Sequence, residues 1–237
     1  MLQFQIIPVT HYQQNCTLLW CDETREAAVG DPGGDIARIL AVVADKGVTL
    51  RQILLTHGHM DHIADAVAIA KRNDAKAIGN YEVAEWLHKN GVEKYHPMNH
   101  GGKWKFSFGT VKLVNAVHTS SFADGSYAGN PVGFVIESAE GNFYYSGDTA
   151  LTMDMQLIPM TCGKLNFALL NLGDNFTMGV DDAVIAAQFV KCNKVIALHY
   201  DTFGYIVVDK ASATQAFASK NITLTLPAIG ETIELLY

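Results

Sequence analysis

The sequence predicts an α/β protein built as a four-layer αβ/βα sandwich, with two mixed sheets face to face and helices outside them. Three observations lead there. Short β-branched and aromatic runs alternate with helical patterns along the chain. Helical patterns punctuate both ends, whereas the middle is rich in hairpins. No Pro/Gly/Ser-rich linker, charge block, low-complexity tract or solenoid-type repeat divides the chain. A three-layer doubly wound sheet would require stricter β–α alternation. The 237 residues are read as one domain, 1–237, made of pseudo-duplicated halves at roughly 1–120 and 121–237.

Strands are expected at 4–9, 17–20, 27–30 and 52–56. The first helix starts at Gly34-Asp35, carries Ile36, Ile39, Leu40 and Val43 on one face, and stops at Gly47. A second helix is expected from about 63 to 73, and a third from 81 to 90, with Gly91 as its C-terminal stop. Runs 104–108 and 111–117, joined at Gly109-Thr110, read as a hairpin. Runs 132–137 and 142–146, joined around Glu140-Gly141, read as another. A strand at 167–170, a helix at about 181–191 and a strand at 195–198 follow. A helix near 210–220 and closing strands at 222–226 and 232–235 complete the chain.

Composition narrows the function. Lys and Arg number 17 against 24 Asp and Glu, for a net charge of −7, and 49 % of residues are apolar. A chain of this size and apolarity buries a core, which excludes intrinsic disorder. The acidic balance excludes phosphate-backbone binding as the main activity, so no nucleic-acid partner is expected. No apolar run approaches the roughly 20 residues of a membrane helix, so no membrane partner is expected. The opening Met1-Leu2-Gln3-Phe4-Gln5 lacks the basic region of a signal peptide. Cys16, Cys21, Cys162 and Cys192 form no C-x-x-C pair, which points to a reducing cytoplasm and no cysteine ligand.

The chemistry concentrates in Thr56-His57-Gly58-His59-Met60-Asp61-His62, directly after an apolar strand. Neutral imidazole is the commonest protein metal ligand, and carboxylate is the usual oxygen partner of zinc. In an irregular loop alternate positions turn inwards together, so His57 and His59 can reach one ion, and Asp61 and His62 a second. His118, Asp148 and His199 also follow strands, Asp148 behind a Gly147 that permits close backbone approach. Strand C-termini are where α/β architectures place their ligand crevices. Five His and two Asp provide for two ions with a coordination position left for water. His11, His88, His96 and His100 lack such a context and read as ordinary structural residues.

His57-x-His59-x-Asp61-His62, then His118, Asp148 and His199 in that order, resemble the metallo-β-lactamase superfamily over nearly the whole chain. The resemblance implies a first metal site of His57, His59 and His118, a second of Asp61, His62 and His199, and Asp148 bridging both. An aspartate bridge resembles the hydrolases of thioesters, lactones and phosphoesters. Residues 6–59, with Ile6-Ile7-Pro8-Val9-Thr10, Gln14-Asn15-Cys16 and Asp31-Pro32-Gly33-Gly34-Asp35, resemble small bacterial glyoxalase II-type proteins. From about Asp61 onwards the chain resembles the metal-dependent hydrolase family related to ascorbate-6-phosphate lactonase. The segments that carry this are His96-Pro97-Met98-Asn99, His118-Thr119-Ser120-Ser121, Gly147-Asp148-Thr149, Gly173-Asp174-Asn175-Phe176-Thr177-Met178-Gly179 and His199-Tyr200-Asp201-Thr202-Phe203. Such a mosaic implies a chimera joined within the His-rich motif.

The expected function is a dinuclear metal-dependent hydrolase (EC 3.-) that uses a metal-bridging hydroxide to cleave an ester, lactone or phosphoester. Asp61 is the candidate proton carrier, and Asn175 and Thr177 are candidate hydrogen-bond donors to substrate. Two divalent ions are expected, Zn2+ first, with Mn2+, Fe2+ or Ni2+ compatible with the same ligands. The alternatives are a glyoxalase II-like thioesterase on S-lactoylglutathione, a weak promiscuous β-lactamase, and a di-iron oxygen or nitric oxide reductase component. The expected partner is a small anionic or carbonyl-containing substrate. The apolar content is compatible with a homo-oligomer.

Overall fold

The computed structural model describes residues 1–228 and 231–234. The chain forms two compact units, each organised on one seven-stranded mixed sheet.

The first unit comprises Met1–Asn99, Ser120–Asn130 and the last described strand. Its elements are β1 (Leu2–Val9), β2 (Gln14–Cys21), β3 (Glu26–Gly30), α1 (Ile36–Asp45), β4 (Thr49–Leu55), α2 (Met60–Ile63), α3 (Ala66–Asn73), β5 (Lys76–Asn80), α4 (Tyr81–Lys89) and β6 (Tyr95–Met98). The sheet order is β14-β1-β2-β3-β4-β5-β6, where β14 is Thr232–Glu234. The first three pairings are antiparallel and the last three parallel. Val29, Ile39, Ile53, Leu55, Ile69 and Leu87 lie in its core.

Helix α1 starts where expected, and local differences elsewhere have physical causes. Asp35 is the N-cap residue of α1, left-handed (φ 54°), but its side chain does not cap: its Oδ2 accepts from the Thr10 N–H at 3.0 Å. Asp65 serves instead, its Oδ2 accepting from the Ile36 N–H at 2.7 Å. The expected helix 63–73 is two, α2 and α3, separated at Ala64-Asp65, the place that frees Asp65 for this role. Strands β5 and β6 escape the pattern because Lys-Ala-Ile-Gly-Asn is short and Tyr-His-Pro-Met contains proline. Pro97 is tolerated because β6 is the edge strand of this sheet.

The second unit comprises His100–Thr119 and Pro131–Pro227. It contains β7 (Lys103–Phe106), β8 (Gly109–Asn115), β9 (Val132–Ser138), β10 (Gly141–Tyr145), a 3-10 turn at Met153–Leu157, α5 (Ile158–Thr161), β11 (Phe167–Asn171), α6 (Val180–Phe189), β12 (Lys194–Leu198), α7 (Lys210–Ala218) and β13 (Thr223–Thr225). The order β13-β12-β11-β10-β9-β8-β7 starts with three parallel pairings and ends with three antiparallel ones. Val135, Tyr144, Leu170, Val184, Val195 and Phe217 lie in its core.

In the first hairpin Phe106 pairs with Gly109, so the turn is Ser107-Phe108 and lies two residues before its expected place. Gly109 is a strand residue: a Cβ there would meet the Glu137 carbonyl oxygen at 2.4 Å, so glycine permits close strand approach. The closing strand expected at 232–235 is present as β14, with residue 235 outside the described residues. Among the described residues no helix is long and apolar enough to cross a membrane.

Candidate metal centre

In the first unit, the apolar end of β4, Ile53-Leu54-Leu55, is fully or almost fully buried and delivers Thr56 and His57 into the interior at 0 % exposure. His59 is extended and precedes the first turn of α2, whose N–H groups of His62 and Ile63 donate to the His59 carbonyl at 2.9 and 3.2 Å. The motif is therefore half loop and half helical turn. His57 and His59 come from the loop, Asp61 and His62 from the turn.

The donor atoms converge. His57 Nε2 lies 2.9 Å from His59 Nδ1. This is hydrogen-bond distance, and since two nitrogens bound to one tetrahedral zinc stand about 3.3 Å apart, a small opening of the pair would admit a shared cation. The His57 and His62 rings are 4.0 Å apart, and His62 Nε2 is 3.6 Å from Asp61 Oδ2. Behind the histidines sits Asp31, fully buried at the exit of β3. Its Oδ1 accepts from the Thr56 N–H at 2.8 Å, and its Oδ2 accepts from the Thr56 hydroxyl at 2.9 Å. Asp31 Oδ2 also lies 3.3 Å from His62 Nδ1, and Thr56 Oγ1 lies 3.0 Å from His57 Nδ1. One carboxylate thus orients two rings through their Nδ1 atoms, one directly and one through a hydroxyl. Gln14 Nε2 lies 3.4 Å from His62 Nδ1. The loop itself is pinned by Ser120, whose Oγ accepts from the Gly58 N–H at 3.1 Å and donates to the Ala128 carbonyl at 3.3 Å.

The second unit brings together His118, Asp148 and His199. Asp148 Oδ2 lies 3.5 Å from His199 Nε2 and 3.9 Å from His118 Nε2, so two imidazoles face one carboxylate oxygen. Each of the three side chains keeps a small exposed fraction, between 12 and 18 %. Asp148 follows β10 through Gly147 (φ 62°), whose carbonyl accepts from the Asn171 amide at 2.8 Å. The Val117 N–H donates to Thr149 Oγ1 at 2.9 Å and the Ala150 N–H to the Val117 carbonyl at 3.0 Å, which registers His118 against Asp148. His199 takes a left-handed φ of 55° at the exit of β12.

Asn175 and Thr177 lie in a turn closed by the Asp174 N–H on the Met178 carbonyl at 3.0 Å. Asn175 is exposed with φ 54°, and its N–H donates to Asp174 Oδ1 at 2.7 Å. The Thr177 hydroxyl is buried and has no hydrogen-bond partner among the described residues. Neither caps α6, whose N-cap is Gly179. Burial, and after it the charge of Asp31, push the Cys16 thiol well up from the usual range. Burial likewise raises Cys192.

Sequence reading missed Asp31, Thr56, Gln14 and Ser120. A signal for Asp31 exists in hindsight: Asp31-Pro32-Gly33 follows a strand as Asp148 does, at the kind of position that supplies ligands.

The description "Beta-lactamase superfamily domain" matches residues 31–200 of this chain. A protein of Christiangramia forsetii named "UPF0173 metal-dependent hydrolase" is 51 % identical over 230 residues, covering 96 % of this chain and 99 % of its own. The solved structure of Igni18, described as a novel metallo hydrolase from Ignicoccus hospitalis, is similar with a TM-score of 0.80 at 25 % identity, covering 98 % of each chain. That of YhfI from Bacillus subtilis, a metallo-β-lactamase fold protein, is similar with a TM-score of 0.73 at 14 % identity, again covering 98 % of each chain.

Proposed function

The chain belongs to the UPF0173 metal-dependent hydrolase family of the β-lactamase superfamily, and from this premise we propose that it is a dinuclear hydrolase of esters, lactones or phosphoesters. It is a metal-dependent hydrolase with the metallo-β-lactamase fold, α/β with two mixed sheets. In this reading His57, His59 and His118 would hold one divalent ion and Asp61, His62 and His199 the other, with Asp148 as the carboxylate that would serve both. Zn2+ is the first choice, and Mn2+, Fe2+ or Ni2+ suit the same nitrogen and oxygen donors. Bound there, the ions would supply an acidified water and a Lewis acid for the substrate's carbonyl or phosphoryl oxygen.

The observation that carries the reading is the pair of imidazole Nε2 atoms facing one oxygen of Asp148. Nitrogen and oxygen donors gathered in this way suit a divalent cation with a position left for water. The chain's own residues divide the remaining work. Asp61 is 31 % exposed beside a His62 at 3 %, so its carboxylate reaches both the donor cluster and water, and it takes and returns the proton. Asp31 and Thr56 hold the tautomers of His62 and His57. Asn175 and Thr177 supply hydrogen bonds to the substrate. The substrate is a small anionic or carbonyl compound. Four cysteines without a disulfide favour the cytoplasm, and a homo-oligomer suits the apolar content.

One purified sample tests this. Elemental analysis is followed by turnover of an aryl ester, a lactone, bis-p-nitrophenyl phosphate and S-lactoylglutathione, with and without chelator. About two metals per chain with chelator-sensitive hydrolysis is expected; two irons with no hydrolysis of any substrate overturns the proposal. Residues 6–59 we read as a glyoxalase II-type opening joined to the hydrolase within the motif. Exchanging them for the opening strands of a relative tests that origin, and clearly poorer folding of the exchanged chain overturns it.

A further inference from the structure

Two tight loops of the second unit push three aromatic rings outwards instead of into the core. Phe176 is 50 % exposed, Tyr205 is 75 % exposed, and Phe203 is half-buried between solvent and the loop. Their ring centroids form a triangle with sides of 6.0, 6.4 and 6.4 Å, tilted or edge-on to one another.

The loops are braced. The first is closed by Asp174 N–H to Met178 O, with Phe176 N–H on Asp174 O. The second is closed by Asp201 N–H to Ile206 O at 2.8 Å, Ile206 N–H to Phe203 O at 3.1 Å and Val208 N–H to Asp201 Oδ1 at 2.9 Å. The Lys210 ammonium, 3.0 Å from Asp201 Oδ2, fixes it to the start of α7. The two loops are seated on each other at Gly173, where a Cβ would stand 2.1 Å from the His199 carbonyl oxygen and 2.9 Å from Ile206 Cβ. The Met178 N–H also donates to the Thr149 carbonyl at 3.0 Å, one residue from Asp148. The rings thus stand on loops that leave His199 and brace Asp148. By contrast the neighbouring Tyr200 is buried, its hydroxyl donating to the Pro227 carbonyl at 2.9 Å. Sequence alone does not separate Tyr200 from Phe203, and only the second faces outwards.

We propose that Phe176, Phe203 and Tyr205 form a substrate subsite for a flat apolar group, an aryl ring or its equivalent, attached to the bond that is cleaved. Braced loops that are tied through their backbone to His199 and to the neighbour of Asp148, and that expose three mutually tilted rings, present faces and edges to a fourth ring at the separations aromatic pairs prefer. The subsite rests on the hydrolase reading for its role, but not for its detection.

Binding of phenylphosphonate and of methylphosphonate to the metal-loaded protein, followed by ligand-observed NMR titration, provides a probe that cannot be hydrolysed. The wild type is expected to bind the phenyl compound more tightly, and Phe176→Ala, Phe203→Ala and Tyr205→Ala each to shrink that preference by about three- to tenfold. Tyr205→Phe is expected to retain it. A parallel comparison of phenyl and methyl esters should move KM in the same sense. A phenyl-to-methyl ratio within twofold of wild type in all three alanine variants, each with its melting temperature preserved, overturns the subsite. Variants that change only the oligomeric state overturn it as well. Absence of turnover on every ester, with the phosphonate preference intact and sensitive to these residues, overturns the hydrolase reading and supports the subsite.

Discussion

Asp31 organises more of the metal centre than any residue that the motif itself contains. Its two oxygens take both donors of Thr56 and stand 3.3 Å from His62 Nδ1, so a change there disturbs two of the three motif histidines together. Asp31→Asn keeps the shape but replaces an acceptor with a donor. It is expected to lower metal affinity 10- to 100-fold, read by competition with a chromogenic chelator, with the melting temperature of the chelated protein much less changed. An affinity within twofold of wild type would remove Asp31 from the centre. Tyr144 makes the opposite case. It is fully buried, burial pushes its hydroxyl pKa far up, and that hydroxyl has no partner among the described residues. Tyr144→Phe is therefore expected to leave stability unchanged or raise it by about 1 kcal/mol in urea unfolding; a loss of more than that would reveal a partner for the hydroxyl. The histidines are marked in the sequence by their spacing, because metal ligation needs several donors at short reach. Asp31 and Ser120 act on the motif from 25 and 62 residues away, through side-chain hydrogen bonds that leave no periodic trace.

At the scale of elements, strand ends rather than helices deliver the chemistry. His57, Asp148 and His199 follow β4, β10 and β12 within three residues, and Asp31 follows β3. These junctions tolerate little change. A Cβ on Gly33 would lie 1.5 Å from the Asp61 carbonyl oxygen, so Gly33→Ala must displace either the β3 exit or the first turn of α2. Metal content per chain, measured after purification, is expected to fall below one, with a melting temperature lower by several degrees; full metal content would mean that the junction yields freely. Asp65→Ala removes the acceptor for the first N–H of α1 and is expected to cost about 1 kcal/mol in urea unfolding. Helices with a clear apolar stripe, α1 and α4, were visible in the sequence because burial of one face imposes the spacing. Strands β5 and β6 were hidden because four or five residues with a glycine or proline carry too little alternation to register. The Ser107-Phe108 turn was misplaced for a related reason: Gly109 advertises a turn, but its role is to let β8 pass close to Glu137.

Across the whole molecule the two sheets repeat one pattern, three antiparallel pairings followed by three parallel ones. Asp31 and Asp148 occupy matching places, each after the fourth strand from the antiparallel edge. Asp148 faces two histidine nitrogens with a single oxygen, and Asp31 supports histidines from behind. The edge of the first sheet is completed late. Residues Gln3, Phe4 and Gln5 pair with Glu234, Ile233 and Thr232, and Thr232 Oγ1 donates to Gln5 Oε1 at 3.0 Å. Truncation after Pro227 uncovers the edge of β1 at Gln3, Phe4 and Gln5, within a run of buried residues from Leu2 to Val9. It is expected to lower the melting temperature and produce soluble aggregates on size exclusion; an unchanged monodisperse profile would show that β14 is dispensable. The same feature sets a clock during translation. β1 ends at Val9 and its outer neighbour starts at Thr232, so at about 5–20 residues per second this edge waits on the order of ten seconds or more for its partner. Until β14 has been made, that edge must be kept from pairing with other chains.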